Sequence, residues 1–181
     1  IVRTWYAQDR CGNIGQDTQI ITISDVTPPV ASVTDESVAC ADYDPTMEYG
    51  MTTSSDNCSA LPTYTWAYTE TIEGDCAGSY MVKRTYTFVD DCENTVDVVQ
   101  TITVFDDVAP EISGQNEETV ECSGNYATTN YITAVDACGS GTNISFEDVP
   151  VSGGCVQPIG RYQRIYTVTD DCGNEATFDQ F

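Results

Sequence analysis

Apolar and polar residues alternate along much of the chain with a period of two. In "RTYTFV" (84–89), Tyr86 and Phe88 fall on one side of an extended backbone, and Thr85 and Thr87 on the other. "VVQTITVF" (98–105) sets Ile102 and Val104 together, and "PTYTWAYTET" (62–71) brings Tyr64, Trp66 and Tyr68 into phase. "NISFEDV" (143–149) and "RYQRIYTVT" (161–169) follow the same rule. One apolar face and one threonine-rich face predict antiparallel sheets with one side in water. Tyrosine and threonine suit strands intrinsically, and no stretch shows convincing helical periodicity. Two long hairpins are predicted in succession. "IEGDCAGSY" (72–80) turns the first and "DDCEN" (90–94) the second.

The second hairpin is written three times. "RTWYAQDRCGNIGQDTQIITISDVTPPV" (3–30), "RTYTFVDDCENTVDVVQTITVFDDVAPE" (84–111) and "RIYTVTDDCGNEATFDQF" (164–181) align residue for residue. Cys11, Cys92 and Cys172 are 81 and 80 residues apart, and the same spacing holds for Asp9, Asp90 and Asp170 and for Asn13, Asn94 and Asn174. It holds again for Gln19, Gln100 and Gln180. The equivalent apolar positions are Trp5 and Ala7, Tyr86 and Phe88, and Tyr166 and Val168, while Ile21 and Ile23 match Ile102 and Val104. A repeat of this length sets the organisation of the chain. The expected domains are 1–27, the closing part of one module; 28–108, a complete module; and 109–181, a module cut in its last strand. Because Ile1 falls at the position of Val82, the chain reads as a window on a longer array. "SDVTPPV" (24–30) and "FDDVAPEI" (105–112) are short acidic, proline-containing connections. Proline ends a ladder and stiffens the passage, so an end-to-end stack of modules is expected.

Nine cysteines change this picture from a small core to a stapled one. Cys40, Cys58, Cys76 and Cys92 of the middle repeat match Cys122, Cys138, Cys155 and Cys172 of the last. With no histidine and no C-x-x-C, zinc is disfavoured and a disulfide framework in an oxidising compartment is expected. Cys58 and Cys92 are equidistant from Asp75 in a hairpin turn, and Cys138 and Cys172 are equidistant from Cys155. That symmetry predicts Cys58–Cys92 and Cys138–Cys172, with Cys40–Cys76 and Cys122–Cys155 as the remainder. Cys11 is then left for an upstream partner. Spacing leaves the two other connectivities per unit open.

The net charge of −23, from 29 acidic and six basic residues, argues against nucleic acid or an anionic membrane as partner. The combined motif R-T-x-Y/W, D-x-C-G/E-N, Q-x-I-T and D-x-x-x-P resembles the tandem Ig-like, hyalin-repeat-like modules of large secreted surface proteins. These include gliding-type adhesins and algal cell-surface and flagellar-hair proteins. The resemblance implies an all-β fold of tandem, disulfide-stapled antiparallel β-sandwich modules of about 80 residues. It also implies a structural role outside the cell, in a rod or filament. The stalk of an adhesin is the alternative, and carbohydrate binding a distant third. Hyalin repeats usually carry a cysteine in the last strand, which this chain lacks, and the antibody pattern of cysteine and tryptophan is not evident. The partners implied are neighbouring modules, copies of the chain or other surface proteins, and glycans, without nucleic acid or direct membrane insertion.

An enzyme is not expected, because the histidine-based acid–base machinery is missing and the acidic pairs recur with the repeat. Two other chemistries remain. Asp56, Asp90, Asp91, Asp136, Asp170 and Asp171 flank the second and fourth cysteines, while Asp25, Asp106 and Asp107 sit at the junctions. These carboxylates are the hard oxygen ligands that calcium takes. The bland reading is that they form turns and solvate the surface. Asn57 and Asn143 stand in "NCS" and "NIS", the acceptor sequence for N-glycosylation.

Overall fold

The computed structural model describes residues 1–119, 132–139, 141–151 and 161–181. Among these the chain is all-β, with several antiparallel sheets and two disulfides. The strands are β1 (Val2–Gln8), β2 (Ile14–Ile20), β3 (Val30–Val33), β4 (Glu36–Ala39), β5 (Thr52–Ser55), β6 (Thr63–Glu73), β7 (Tyr80–Val89), β8 (Thr95–Phe105), β9 (Glu111–Gly114), β10 (Ile132–Val135), β11 (Thr142–Val151), β12 (Arg161–Asp170) and β13 (Glu175–Gln180). One short 3₁₀ turn, Cys40–Asp42, follows β4. β3 and β9 start directly after Pro29 and Pro110.

The chain divides into two compact units: 1–33, 52–66 and 86–98 in the first, and 34–51, 67–85 and 99–181 in the second. This division does not follow the expected boundaries at 27/28 and 108/109. β6, β7 and β8 are ten or eleven residues long, and each supplies residues to both units.

In the first unit, β1 and β2 form the hairpin Val2↔Ile20 to Gln8↔Ile14. β3 pairs antiparallel with β5, Val30 against Ser55. The core here is aromatic. Tyr86 and Phe88 are fully buried, and Tyr64 lies with its ring centre 5.8 Å from Tyr86 and 5.2 Å from Phe88. Trp66 joins them 6.5 Å from Tyr86. Tyr68, in phase with Tyr64 and Trp66 along β6, falls in the second unit and is 56% exposed.

The second unit contains two apolar clusters. Val82, Ile102 and Val104 pack with Val38, Tyr43, Tyr49 and Tyr80. Ile132, Tyr166 and Val168 pack with Ile112, Ile144, Phe146 and Phe178. β11, β12 and β13 form an antiparallel sheet, with Thr142↔Asp170 and Arg164↔Gln180 as register marks. β9 pairs with β10 through Ile112↔Ala134. β4 lies parallel to β8, Val38 against Val104. That pairing is not visible in alternation, because a parallel neighbour reaches its partner by a crossover remote in sequence.

Two polar residues lie on the apolar faces and hold strands together. Arg84 is 1% exposed, and its guanidinium donates to the Met47 and Pro45 carbonyls at 2.5 and 2.9 Å and lies over the Tyr49 ring. Gln100 is fully buried and donates to the Thr34 and Tyr49 carbonyls, both at 2.7 Å. The repeat equivalents behave alike. Arg164 donates to both oxygens of Asp148 at 2.6 and 2.8 Å, and Gln180 donates to the Gln115 carbonyl at 2.9 Å. A buried donor of this kind persists because the fold supplies its acceptors.

Candidate functional site: two aspartate triads and the cystines beside them

The repeated D-x-C-G/E-N stretch makes one turn three times. Asp90 Oδ1 accepts the amides of Cys92 and Asn94, both at 2.8 Å, and Asp90 Oδ2 accepts the Asn94 side-chain amide at 2.8 Å. Asp170 does the same with Cys172 and Asn174, and Asp9 with Cys11 and Asn13. The fourth position of the turn takes positive φ: +88° at Gly12, +89° at Gly173 and +69° at Glu93. Glycine enters that region without a steric penalty, so Glu93 is the strained copy. The hydrogen bonds from Asn13, first its side chain and then its backbone, hold the Asp9 carboxyl below the usual carboxylate range. At Asp170 burial pushes the other way, and the bonds from Asn174, Cys172 and Gly173 outweigh it.

These turns bring carboxylates together. In the first unit Asp25, Asp56 and Asp90 each place a carboxylate oxygen within 4.8 Å of the others. In the second unit Asp106, Asp136 and Asp170 do the same. The two triads are equivalent through the repeat, and so is their scaffold. Asn94 donates to the Asp25 carbonyl at 3.4 Å, and Asn174 to the Asp106 carbonyl at 3.3 Å. Asp25 Oδ1 accepts the Thr27 amide, and Asp106 Oδ1 accepts the Val108 amide, both at 3.0 Å. Asp56 Oδ2 takes the amides of Cys58 and Ser59, and Asp136 Oδ1 takes that of Cys138, all at 2.8 Å. The Cys58 and Ser59 amides lower the Asp56 pKa. In each triad one oxygen of each carboxylate is thus spent on the backbone. Asp25 Oδ2, Asp56 Oδ1 and Asp106 Oδ2 are sealed from solvent and accept no hydrogen bond.

An all-carboxylate set of this kind fits a hard divalent cation such as calcium. Of the residues expected to serve one, Asp56, Asp90, Asp106, Asp136 and Asp170 fall in the triads with Asp25. Asp91, Asp107 and Asp171 do not: all three are exposed, and Asp171 instead accepts the Gly141 amide at 2.9 Å. Asp90, Asp106 and Asp170 stand at the ends of β7, β8 and β12, and the aspartate after each is carried into the exposed turn or connection that follows.

The cystines differ from the expected wiring. Cys40 is bonded to Cys138, with Cα atoms 5.8 Å apart, and Cys76 is bonded to Cys172 at 5.1 Å. The pairs Cys40–Cys76 and Cys138–Cys172 are therefore corrected. Cys58 and Cys92 are both free and exposed, so that pair is corrected as well; Cys11 is also free and exposed. Cys122 and Cys155 lie outside the described residues. In the last repeat the second and fourth cysteines, Cys138 and Cys172, are each met by a cysteine of the preceding repeat. The 74–79 turn carries Cys76 to this position. Gly78, at φ +91°, permits the approach: a Cβ there would lie 2.9 Å from Asp106 Oδ2 and 3.1 Å from the Cys138 Cβ. The Ser79 hydroxyl accepts the Asp106 amide at 3.1 Å. Cys40 and Cys138 lie within 4.8 Å of Asp106, but bonded sulfurs are not thiolate ligands, so the donors left are carboxylates.

The sequon residues Asn57 and Asn143 are both exposed, the first in a loop before Cys58 and the second on β11. Ser59 of the first sequon is buried and its hydroxyl accepts the Asp91 amide at 2.9 Å. The disulfides are compatible with a secreted protein. Among the described residues no helix is long and apolar enough to cross a membrane. No family model matches the chain, and no curated protein matches it.

Proposed function

We propose that this chain is a load-bearing segment of a long extracellular rod or filament, built from tandem Ig-like repeats and without catalytic work of its own. The observation that carries the reading is the register of the cystines. The first and third cysteines of one repeat are bonded to the second and fourth of the next, 98 and 96 residues away. A staple within a repeat protects only that repeat, whereas a staple between repeats holds their junction under load. The partners are then neighbouring repeats, with copies of the chain or other surface proteins along the array. A net charge of −23 keeps such an array soluble.

The aspartate triads deepen the same reading. Three carboxylates this close repel strongly unless a cation lies among them, and calcium at each triad would stiffen the segment beside it. Asn57 and Asn143, both exposed, are where glycans would be carried.

Pulling on the two ends of the chain tests the mechanical claim. Under oxidising conditions the Cys40–Cys138 bond shortcuts the path, leaving about 290 Å of extensible chain. Full reduction releases about 630 Å, at roughly 3.5 Å per residue. Equal extension in both conditions would refute a junction-locking role.

A further inference from the structure

The first hairpin is the odd copy. Tyr86 and Tyr166 are fully buried, but their equivalent Trp5 is 58% exposed. Val104 is 1% exposed and its equivalent Ile23 is 74% exposed. Arg84, Gln100 and Asp90 are sealed, while Arg3, Gln19 and Asp9 stand in water. Every residue of β1 and β2 is exposed. Among the described residues the two-stranded sheet β1-β2 has no further strand, whereas β7 carries β6 on its other edge and β12 carries β11. In the same unit Cys58 and Cys92 are free, although their repeat equivalents Cys138 and Cys172 are both bonded.

We infer that one occupant completes all of these features: a polypeptide stretch of this same repeat, equivalent to residues 28–81. Its strand equivalent to β6 adds to the open edge of β1, as β6 does to β7. Its apolar side covers Trp5 and Ile23. Its first and third cysteines, equivalent to Cys40 and Cys76, bond to Cys58 and Cys92. The bare apolar face and the two thiols are separate observations, and the bonded junction of the second unit shows how a repeat of this kind is held. The inference stands on the repeat alone and holds whatever the array is used for. Each new bond joins two thiol sulfurs, releases two protons and passes two electrons to a disulfide oxidant such as oxidised glutathione, which leaves as two reduced thiols.

The test places a second copy of residues 28–81 ahead of Ile1, so that the added Met81 precedes the position equivalent to Val82. The tandem chain is refolded with oxidised and reduced glutathione, alkylated and mapped by mass spectrometry. Cys58 is expected bonded to the added Cys40 and Cys92 to the added Cys76, and both should escape alkylation. The Trp5 emission should shift to the blue. With Cys40→Ser and Cys76→Ser in the added copy, Cys58 and Cys92 should alkylate again while the emission stays shifted. The Cys40–Cys138 and Cys76–Cys172 bonds gauge native folding in the same sample. As a second route, the 28–81 polypeptide added in trans to the unextended protein should form the same two mixed disulfides. Bonding of Cys58 to Cys92, or bonding of the added cysteines to each other with Cys58 and Cys92 still alkylated, would overturn the inference. So would dimers of the unextended chain formed through Cys58 or Cys92 in preference to the mixed disulfides.

Discussion

Asp106→Asn should change the sign of its effect with calcium. The Asp106, Asp136 and Asp170 carboxylates lie within 4.8 Å of one another. At an effective dielectric of about 20, each pair at that distance costs about 3.5 kcal/mol. Neutralising Asp106 removes two of the three pairs, and relaxation of the cluster with solvent screening should reduce the gain to about 2 kcal/mol. Asparagine keeps the acceptor for the Val108 amide, so the local turn survives. In a calcium chelator the variant should therefore unfold at a higher temperature than the parent. With calcium at 100 times its dissociation constant, binding stabilises the parent by about 2.7 kcal/mol per site. For a chain of this size that is about 5–11 °C per site. The variant loses one site and should fall below the parent. Differential scanning calorimetry in calcium and in chelator reads both arms. A parent whose unfolding temperature ignores calcium, or a variant equally destabilised in both buffers, would refute the triads as cation sites.

Other outcomes follow from single contacts. Glu93→Gly removes a side chain from positive φ at the one turn that lacks glycine, and should stabilise by about 0.5–1 kcal/mol in urea melts. Gln100→Leu leaves the Thr34 and Tyr49 carbonyls without their donor, and should cost about 2–4 kcal/mol by the same assay. Asp148 is held below its usual pKa first by its hydrogen bond from Arg164. Its folded value is thus depressed, so its contribution is present above the unfolded value near 4 and lost as pH falls through the folded one. Asp148→Asn should accordingly cost about 1.5–3 kcal/mol at pH 7 and less at pH 3. An equal cost at both would refute the pair.

Much of the strand pattern was legible because period-two alternation is a direct consequence of one buried face. Tyr86, Phe88, Ile102 and Val104 are buried as their phase predicts. The pattern stops short at Arg84 and Gln100, which share that face although they are polar. Their signal was the repeat itself: Arg3, Arg84 and Arg164, with Gln19, Gln100 and Gln180, recur at the module spacing. The triads were half legible. Acids beside cysteines two and four were expected at one end of a repeat, but which member of Asp90–Asp91 or Asp106–Asp107 turns inward depends on backbone direction at the turn. The disulfides were least legible. Hairpin symmetry locates an end and says nothing about which sulfur arrives there from the neighbouring repeat. β1 and β2 show the converse: their alternation predicts burial, and every residue of both is exposed.

Cystines that cross from one repeat to the next carry the proposed role. Proteolysis of the unreduced, alkylated protein followed by mass spectrometry tests this most directly. Linked peptides joining Cys40 to Cys138 and Cys76 to Cys172 are expected, with Cys11, Cys58 and Cys92 recovered alkylated. Linked peptides joining Cys40 to Cys76 and Cys138 to Cys172 would contradict it.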